Sequence, residues 1–212
     1  MDATITDIDQ GRIDAILKFW FQSRRLTAPQ IDGRMEVWFG EDSLFDHEIE
    51  ELFGDDVELA SDGKLSHWAH QPQGLLALIL LLDQFRRNMY RSTADAFAKD
   101  KYALKLCVEG AMAKRDQTLT PIERVFFYMP LQHSESLKVQ RKSVKIFGRL
   151  AEAVIPTYKE TFATLSQFAD LHRDVIEIFG RFPHRNNVLQ RENTAQEAEY
   201  LAGDSPSFGQ ES

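Results

Sequence analysis

Hydrophobic residues recur every three or four positions along most of this chain, which is the spacing of amphipathic helices. Residues 11–22 fit the pattern and predict a first helix, after which a connector at 23–33 contains Pro29. A short amphipathic segment at 34–39 follows, and Gly40 is a natural stop for it. The beginning of the chain therefore predicts one full helix, a link and a short helical piece.

The clearest element lies in the next part of the chain. We expect Ser43 to cap a helix that Gly54 breaks or bends, followed by irregular or short helical structure at 57–68. Pro72 then opens a segment in which residues 75–82 are apolar on every side, as in a helix packed on several faces. A buried parallel strand is the rival interpretation, but the run is rich in leucine, has no valine and continues with a helical period.

Capping residues mark the remaining helices. Thr120, Pro121 and Glu123 form a capping box with proline in the first turn, which is a strong start signal. Gly180 is suited to end the longest helix, because glycine readily adopts a left-handed conformation. The pattern predicts helices at about 94–114, 121–130, 136–153, 157–179 and 195–203.

Taken together, these predicted helices indicate an all-α fold, a single-domain array of about eight to ten helices around the central apolar helix. No link is long enough to separate two domains, so we expect one domain over 1–212. The ends, at about 1–8 and from 204 to 212, are polar and are expected to be frayed.

Composition excludes several classes of protein. The chain is 43% hydrophobic and 11% aromatic, which is too apolar for disorder, and its single cysteine rules out a disulfide scaffold. Cys107 lies in an apolar stretch and is expected to be a buried hydrophobe. The N-terminus does not resemble a secretory signal and no apolar run approaches the length of about 20 residues that spans a bilayer, so we expect a cytoplasmic protein without membrane contact. A net charge of −8 disfavours nucleic acid as a partner.

The first of three polar segments, residues 83–88, directly follows the apolar run. On a helix, Asp83 lies one turn from Arg86 and Arg87, so an acid–base pair is available there, with Asn88 beside it. A buried carboxylate has to be paired or hydrogen-bonded. The segment is therefore either a structural pair or a carboxylate and a guanidinium that line a cleft.

The second polar segment is 128–135, in which His133 and Glu135 precede a predicted helix start. Such a pair can supply two metal ligands or an acid–base pair. No third ligand is indicated, so we predict neither a metal nor another cofactor. In the structural alternative, Glu135 favours the positive end of the following helix and His133 bonds a carbonyl.

The third polar segment, residues 180–187, is the best anion-binding candidate in the chain. Arginine pairs through two hydrogen bonds with carboxylate or phosphate, and histidine and asparagine add further donors. An exposed basic loop, or arginines that cap nearby helix ends, is the structural alternative. The polar residues are Arg181, His184, Arg185, Asn186 and Asn187. His172, by contrast, is expected to be packed or exposed within its helix.

These segments also carry a family resemblance, through motifs at 17–21, 38–39, 74–85, 87–91, 128–131, 133–135 and 179–186. Over roughly 13–202 the chain resembles the bacterial family catalogued as domain of unknown function 924. The resemblance implies an all-α fold similar to tetratricopeptide-like helical arrays, and no assigned activity. Two positions depart from the family pattern: Arg86 stands where the family usually has proline, and Gln132 where it usually has glutamate.

Three functions are compatible with the sequence, and no motif in it dictates a reaction. We favour a helical binding module whose polar cleft takes a peptide, a protein or a small anionic molecule. The first alternative is a hydrolase or transferase that activates water through His133 or His184, with Glu135 or Asp83 orienting the base. The second is a purely structural polar network. No feature specifies an oligomeric state. The residues expected to line the cleft are Asp83, Arg87, Asn88, His133, Glu135, Arg181, His184, Arg185 and Asn186.

Overall fold

The computed structural model describes residues 4–203, and within that range the chain forms helices and no strand, which confirms the predicted all-α class. Residues 1–3 and the predicted frayed tail at 204–212 lie outside the described range. The α-helices are α1 (Asp7–Phe21), α2 (Ala28–Phe39), α3 (Ser43–Ser61), α4 (Pro72–Ile79), α5 (Arg86–Met89), α6 (Asp100–Met112), α7 (Pro121–Gln132), α8 (Leu137–Ala153), α9 (Lys159–Phe179) and α10 (Ala195–Leu201).

The central helix forms where the apolar run predicts it. Pro72 occupies the first turn of α4, and every residue of the run from 75 to 82 is buried. A π-helical segment, Leu80–Phe85, joins α4 to α5 without a break, so the three pieces form one continuous helix. Helices α1, α6 and α7 pack around α4, which explains why this helix is apolar on all sides.

Two helices begin earlier than the sequence pattern predicts. Helix α1 starts at Asp7 because Thr6 and Asp9 form a capping box. Helix α2 starts at Ala28, so the predicted connector at 23–33 is wrong over much of its length. Pro29 does not interrupt α2, because it lies in the first turn, where its missing N–H would have no partner in any case.

Gly54 does not break α3, one of the two predicted effects of this glycine, and Pro130 does not end α7, contrary to the prediction of a helix that ends at 130. Helix α3 continues past Gly54 to Ser61 because its buried stripe continues beyond the glycine. Helix α7 continues past Pro130 to Gln132, where the burial of neighbouring side chains offsets the loss of one backbone donor. The predicted helix at 94–114 is divided into a short 3₁₀ helix, Ala94–Phe97, and α6.

Several local predictions are confirmed. Helix α8 begins at Leu137, next to the predicted start at 136, and Gly180 ends α9 with a left-handed φ of 70°. Cys107 is buried, as expected.

Gly110 allows α6 to approach the core closely, because a Cβ atom there would collide with Leu75 and Phe127.

The core brings three segments of the chain together beside the π segment. Helix α7 packs against the π segment and against α9, and α6 also contacts the π segment. The start of α6, the end of α7 and the loop after α9 therefore meet beside the π segment. Helices α8 and α9 pack against each other through a short connection; the tetratricopeptide-like arrangement of the whole stays a prediction.

Candidate functional site

Asp83 lies in the π segment, is fully buried, and is the centre of a polar cluster. Its Oδ1 lies 2.7 Å from Nδ1 of His133 and 3.0 Å from Nη1 of Arg87. Its Oδ2 accepts a hydrogen bond of 2.5 Å from the amide of Gln84. The first and second polar segments of the sequence therefore meet at this carboxylate.

Asp100 connects Arg87 to the third polar segment. Nη2 of Arg87 donates to both carboxylate oxygens of Asp100, at 2.9 and 3.0 Å. Nη1 of Arg185 donates to Oδ2 of Asp100 at 3.1 Å and to the carbonyl of His133 at 3.2 Å. Two arginines and two aspartates thus alternate in one buried network. We call these four residues, together with His133, the polar cluster; its members are Asp83, Arg87, Asp100, Arg185 and His133.

Arg185 is held in an unusual environment. Its guanidinium carbon lies 4.5 Å from the centre of the Phe97 ring and 4.4 Å from that of Phe182, so an aromatic ring lies close on two sides. Its Nε is buried and makes no hydrogen bond in the described structure. Burial lowers the pKa of Arg185 to about 10, so the side chain remains charged at neutral pH.

The electrostatics of Asp83 and His133 favour a charged carboxylate and a neutral imidazole. Burial alone raises the pKa of Asp83, but Arg87 and His133 outweigh it, and the net shift is downward. Burial and Arg87 lower the pKa of His133, although Asp83 opposes them. A neutral His133 that donates its Nδ1 proton to Asp83 has Nε2 as an acceptor. The imidazole is about 12% exposed, so it is one of the partly accessible members of the cluster.

Two further histidines border the cluster. The His172 ring lies 6.1 Å from that of His133, and its Nδ1 lies 2.7 Å from the carbonyl of Phe168. His184 packs against Phe182. Burial lowers the pKa of His172 to about 3 and also lowers that of His184, so both rings are neutral. Within 4–203, no three metal-ligating side chains are placed to hold an ion.

Four of the predicted cleft residues have partners outside the polar cluster. Glu135 pairs with Arg191 at 2.8 Å and accepts the Phe182 N–H, which ties the loop after α9 to the start of α8. The amide of Asn88 donates to Asp46 of α3. The other pairs are Arg181 with Glu197 and Asn186 with Asn193.

The two positions that depart from the family pattern also have hydrogen-bond partners outside the cluster. Arg86 donates to the carbonyl of Asp95 and to the hydroxyl of Ser61. The carbonyl of Gln132 accepts from the side chain of Gln140. The hydrogen bonds to the Asp83 carboxylate come from Gln84, Arg87 and His133, so neither departure removes a member of the cluster.

Sequence reasoning missed Asp100, Phe97 and Phe182 as parts of the site. Asp100 is in the first turn of α6, where an acidic residue is ordinary, and its bridging role depends on packing between distant segments. Phe182 does lie within the third polar segment, and the available signal was an aromatic residue interleaved with the basic residues of that segment.

The comparisons with known proteins agree with this fold and give no activity. Residues 16–205 match the model of a family described as bacterial protein of unknown function (DUF924), and the chain belongs to that family. A solved structure of a protein of unknown function from Agrobacterium tumefaciens is 32% identical. The match covers 91% of this chain and 97% of that one, with a TM-score of 0.75. A comparison with curated proteins finds no match. None of the described helices is both long and apolar enough to cross a membrane.

Proposed function

We propose that this protein is a ligand-binding protein, and that the polar cluster receives an acidic group of a small molecule or of a peptide. The observation that carries the proposal is the buried Nε of Arg185, which is a charged donor without a hydrogen-bond partner in the described residues. Leaving such a donor unsatisfied costs about 1–3 kcal/mol or more. A ligand oxygen that accepts from Nε removes this cost.

The surroundings of Arg185 support an oxygen acceptor as the ligand group. Phe97 and Phe182 hold the guanidinium in place, so little side-chain entropy is lost when a ligand binds. Phe97 and His133 are both partly exposed, and the proposed route of a ligand to Arg185 passes between them by a movement of these side chains. Asp83 and Asp100 already neutralise the two arginines formally, which favours a ligand with one acidic group over a multiply charged anion.

Calorimetric titration with acetate, succinate, inorganic phosphate and a short peptide that ends in glutamate tests the proposal. We expect binding of a carboxylate and, in Arg185→Lys, a loss of about tenfold or more, because lysine lacks the Nε donor and the planar guanidinium. Arg181→Lys is the matched control, since Arg181 belongs to the same loop but pairs with Glu197. No binding by the wild-type protein, or equal binding by Arg185→Lys, contradicts the proposal.

The hydrogen bond between Asp83 and His133 favours a second candidate function, a hydrolase that activates water. Asp83 would fix the ring so that Nε2 of a neutral His133 accepts a proton, and Arg185 would stabilise developing negative charge. Glu135 does not serve as the orienting acid in this scheme, because it pairs with Arg191.

Panels of ester, phosphate and amide substrates test this second candidate. His133→Gln should lower any activity by about 10²-fold or more, whereas the exposed His47→Gln should leave it unchanged. Equal activity in both variants excludes His133 as the base. If Asp83→Asn lowers only the melting temperature and changes neither binding nor activity, the purely structural role is the better description.

A further inference from the structure

Helix α8 carries a line of positive charge on its outer side. We call this line the basic ridge; it comprises Lys138, Arg141, Lys142, Lys145 and Arg149, and all five are exposed. These positions recur every three or four residues, so their side chains share one face of the helix. The eleven-residue separation between the first and the last corresponds to about 16 Å along the axis. The opposite face of α8 packs into the core.

The basic ridge contrasts with the rest of the molecule. Helix α8 contains five basic residues and one acid, Glu152, which gives 5 − 1 = +4, whereas the whole chain carries −8. The remainder of the chain therefore carries −8 − 4 = −12. Within residues 4–203 the ridge makes one ion pair, between Arg141 and Glu177 of α9, at 2.8 Å. Neighbouring like charges on a helix are destabilising, so the ridge does not serve the stability of α8.

The surface beside the ridge is shaped to receive a side chain. A shallow cleft of about 300 Å³ is lined by Leu137 and by four members of the ridge. Leu137 also packs against the cluster of Val175, Ile176 and Phe182, so it gives the cleft a fixed apolar wall. The ion pair between Arg141 and Glu177 is an example, within this protein, of a glutamate carboxylate held at the ridge.

We propose that the basic ridge is a docking surface for a short acidic helical segment of a partner protein. Carboxylates on such a helix recur every three or four residues and match the spacing of the ridge along its length of about 16 Å. A nucleic acid duplex fits less well, because it presents one charge per roughly 1.7 Å beyond both ends of the ridge. The rest of the molecule, which a duplex would also approach, carries a net charge of −12.

Fluorescence anisotropy with a labelled amphipathic peptide that carries glutamate along one face tests this docking. The same peptide with glutamine in place of glutamate is its control. We expect the glutamate peptide to bind at least about tenfold more tightly, with an affinity that falls as salt rises. Failure of the glutamate peptide to bind, or equal binding of the glutamine peptide, overturns the proposal.

A charge-matched pair of triple variants locates the binding. Replacement of three ridge lysines by glutamine should weaken binding about tenfold or more, and the same change at three exposed lysines elsewhere should alter it less than about twofold. Equal loss in both, or tighter binding of single-stranded DNA or of anionic vesicles than of the glutamate peptide, overturns the proposal. Arg185→Lys should retain peptide binding at the ridge, which separates this site from the polar cluster. The ridge variant combines Lys138→Gln, Lys142→Gln and Lys145→Gln, and the control combines Lys101→Gln, Lys105→Gln and Lys114→Gln.

Discussion

The carboxylates of Asp83 and Glu123 are both fully buried, yet different parts of the chain stabilise them. Glu123 accepts the N–H of Thr120 at 2.7 Å as part of a capping box, and its other bond comes from the exposed Arg24. Asp83 is in the middle of a helix, where backbone N–H groups are already used, and it is bonded by side chains that include Arg87 and His133. A backbone N–H at a helix start satisfies one buried acid, whereas the other relies on side chains, with Arg87 one turn along its own helix and His133 from a distant segment.

Asp83→Asn provides the most severe test of this difference. The substitution leaves Arg87 partly uncompensated in a buried site, and breaking a buried pair in this way costs about 3–5 kcal/mol. Urea denaturation at neutral pH measures the change in the free energy of unfolding. A loss below about 1 kcal/mol, in the range of a surface pair, would show that the buried bonds of Asp83 contribute little to stability.

Acidification is the next test, because it protonates histidines such as His172, which borders the polar cluster at His133. The pKa of His172 is about 3 in the folded protein and roughly 6.5 when unfolded, so below roughly 6.5 the unfolded state binds a proton that the folded state does not. His172 therefore leaves the free energy of unfolding unchanged above roughly pH 6.5. Below that pH it lowers the free energy of unfolding by up to about 1.4 kcal/mol per pH unit, as the pH falls towards 3. The free energy of unfolding, measured between pH 7 and 4, should show this slope.

His172→Gln should reduce the slope of that pH dependence, because glutamine does not titrate. His47→Gln is the control, since the His47 side chain is exposed, and it should leave the slope as it is in the wild-type protein. A wild-type slope that persists unchanged in His172→Gln would contradict the assignment of this proton to His172.

Glu123→Gln should have a smaller effect. The variant keeps an oxygen for the N–H of Thr120 and loses the charge near the start of α7, so we expect a cost of about 1 kcal/mol. The same urea experiment measures it beside Asp83→Asn. Equal costs for the two variants would remove the distinction between a buried acid bonded by the backbone and one bonded by side chains alone.

Arg24→Gln should have the smallest effect. The Arg24 side chain is 58% exposed, and pairs of this kind contribute about 0–1 kcal/mol. Arg87→Gln removes the corresponding partner of Asp83 and should cost several times more, because Arg87 is buried and also holds Asp100. Parallel denaturation curves give the decrease in the free energy of unfolding for each variant. The ratio of the two decreases measures how much more the buried partner contributes than the exposed one.

Sequence reasoning found the elements that local signals determine. The apolar run after Pro72, the capping box at Thr120 and the stop at Gly180 each depend on neighbours within a few positions, and each is confirmed. Pro29 and Gly54 misled the prediction, because the same residue types break a helix in one context and are tolerated in another.

The polar cluster was predictable only in part. Asp83, His133 and Arg185 could be named because polar residues beside apolar helices are conspicuous in sequence. That Asp100 bridges two arginines, and that Asn88 bonds Asp46 of α3, depends on how distant segments pack. Such contacts have no signature in the spacing of a single chain.

The π segment sets the rotational phase of everything that follows it on the central helix. Arg87 is directed towards the cluster and bonds the Asp83 carbonyl at 2.9 Å, while Asn88 faces Asp46 on α3. One residue more or fewer in a helix rotates the following side chains by about 100°. Deleting a residue from Leu80–Phe85 would therefore move both side chains off their partners even if every remaining residue were kept. In this stretch the number of residues determines which side chains reach their partners as much as the identity of the residues does.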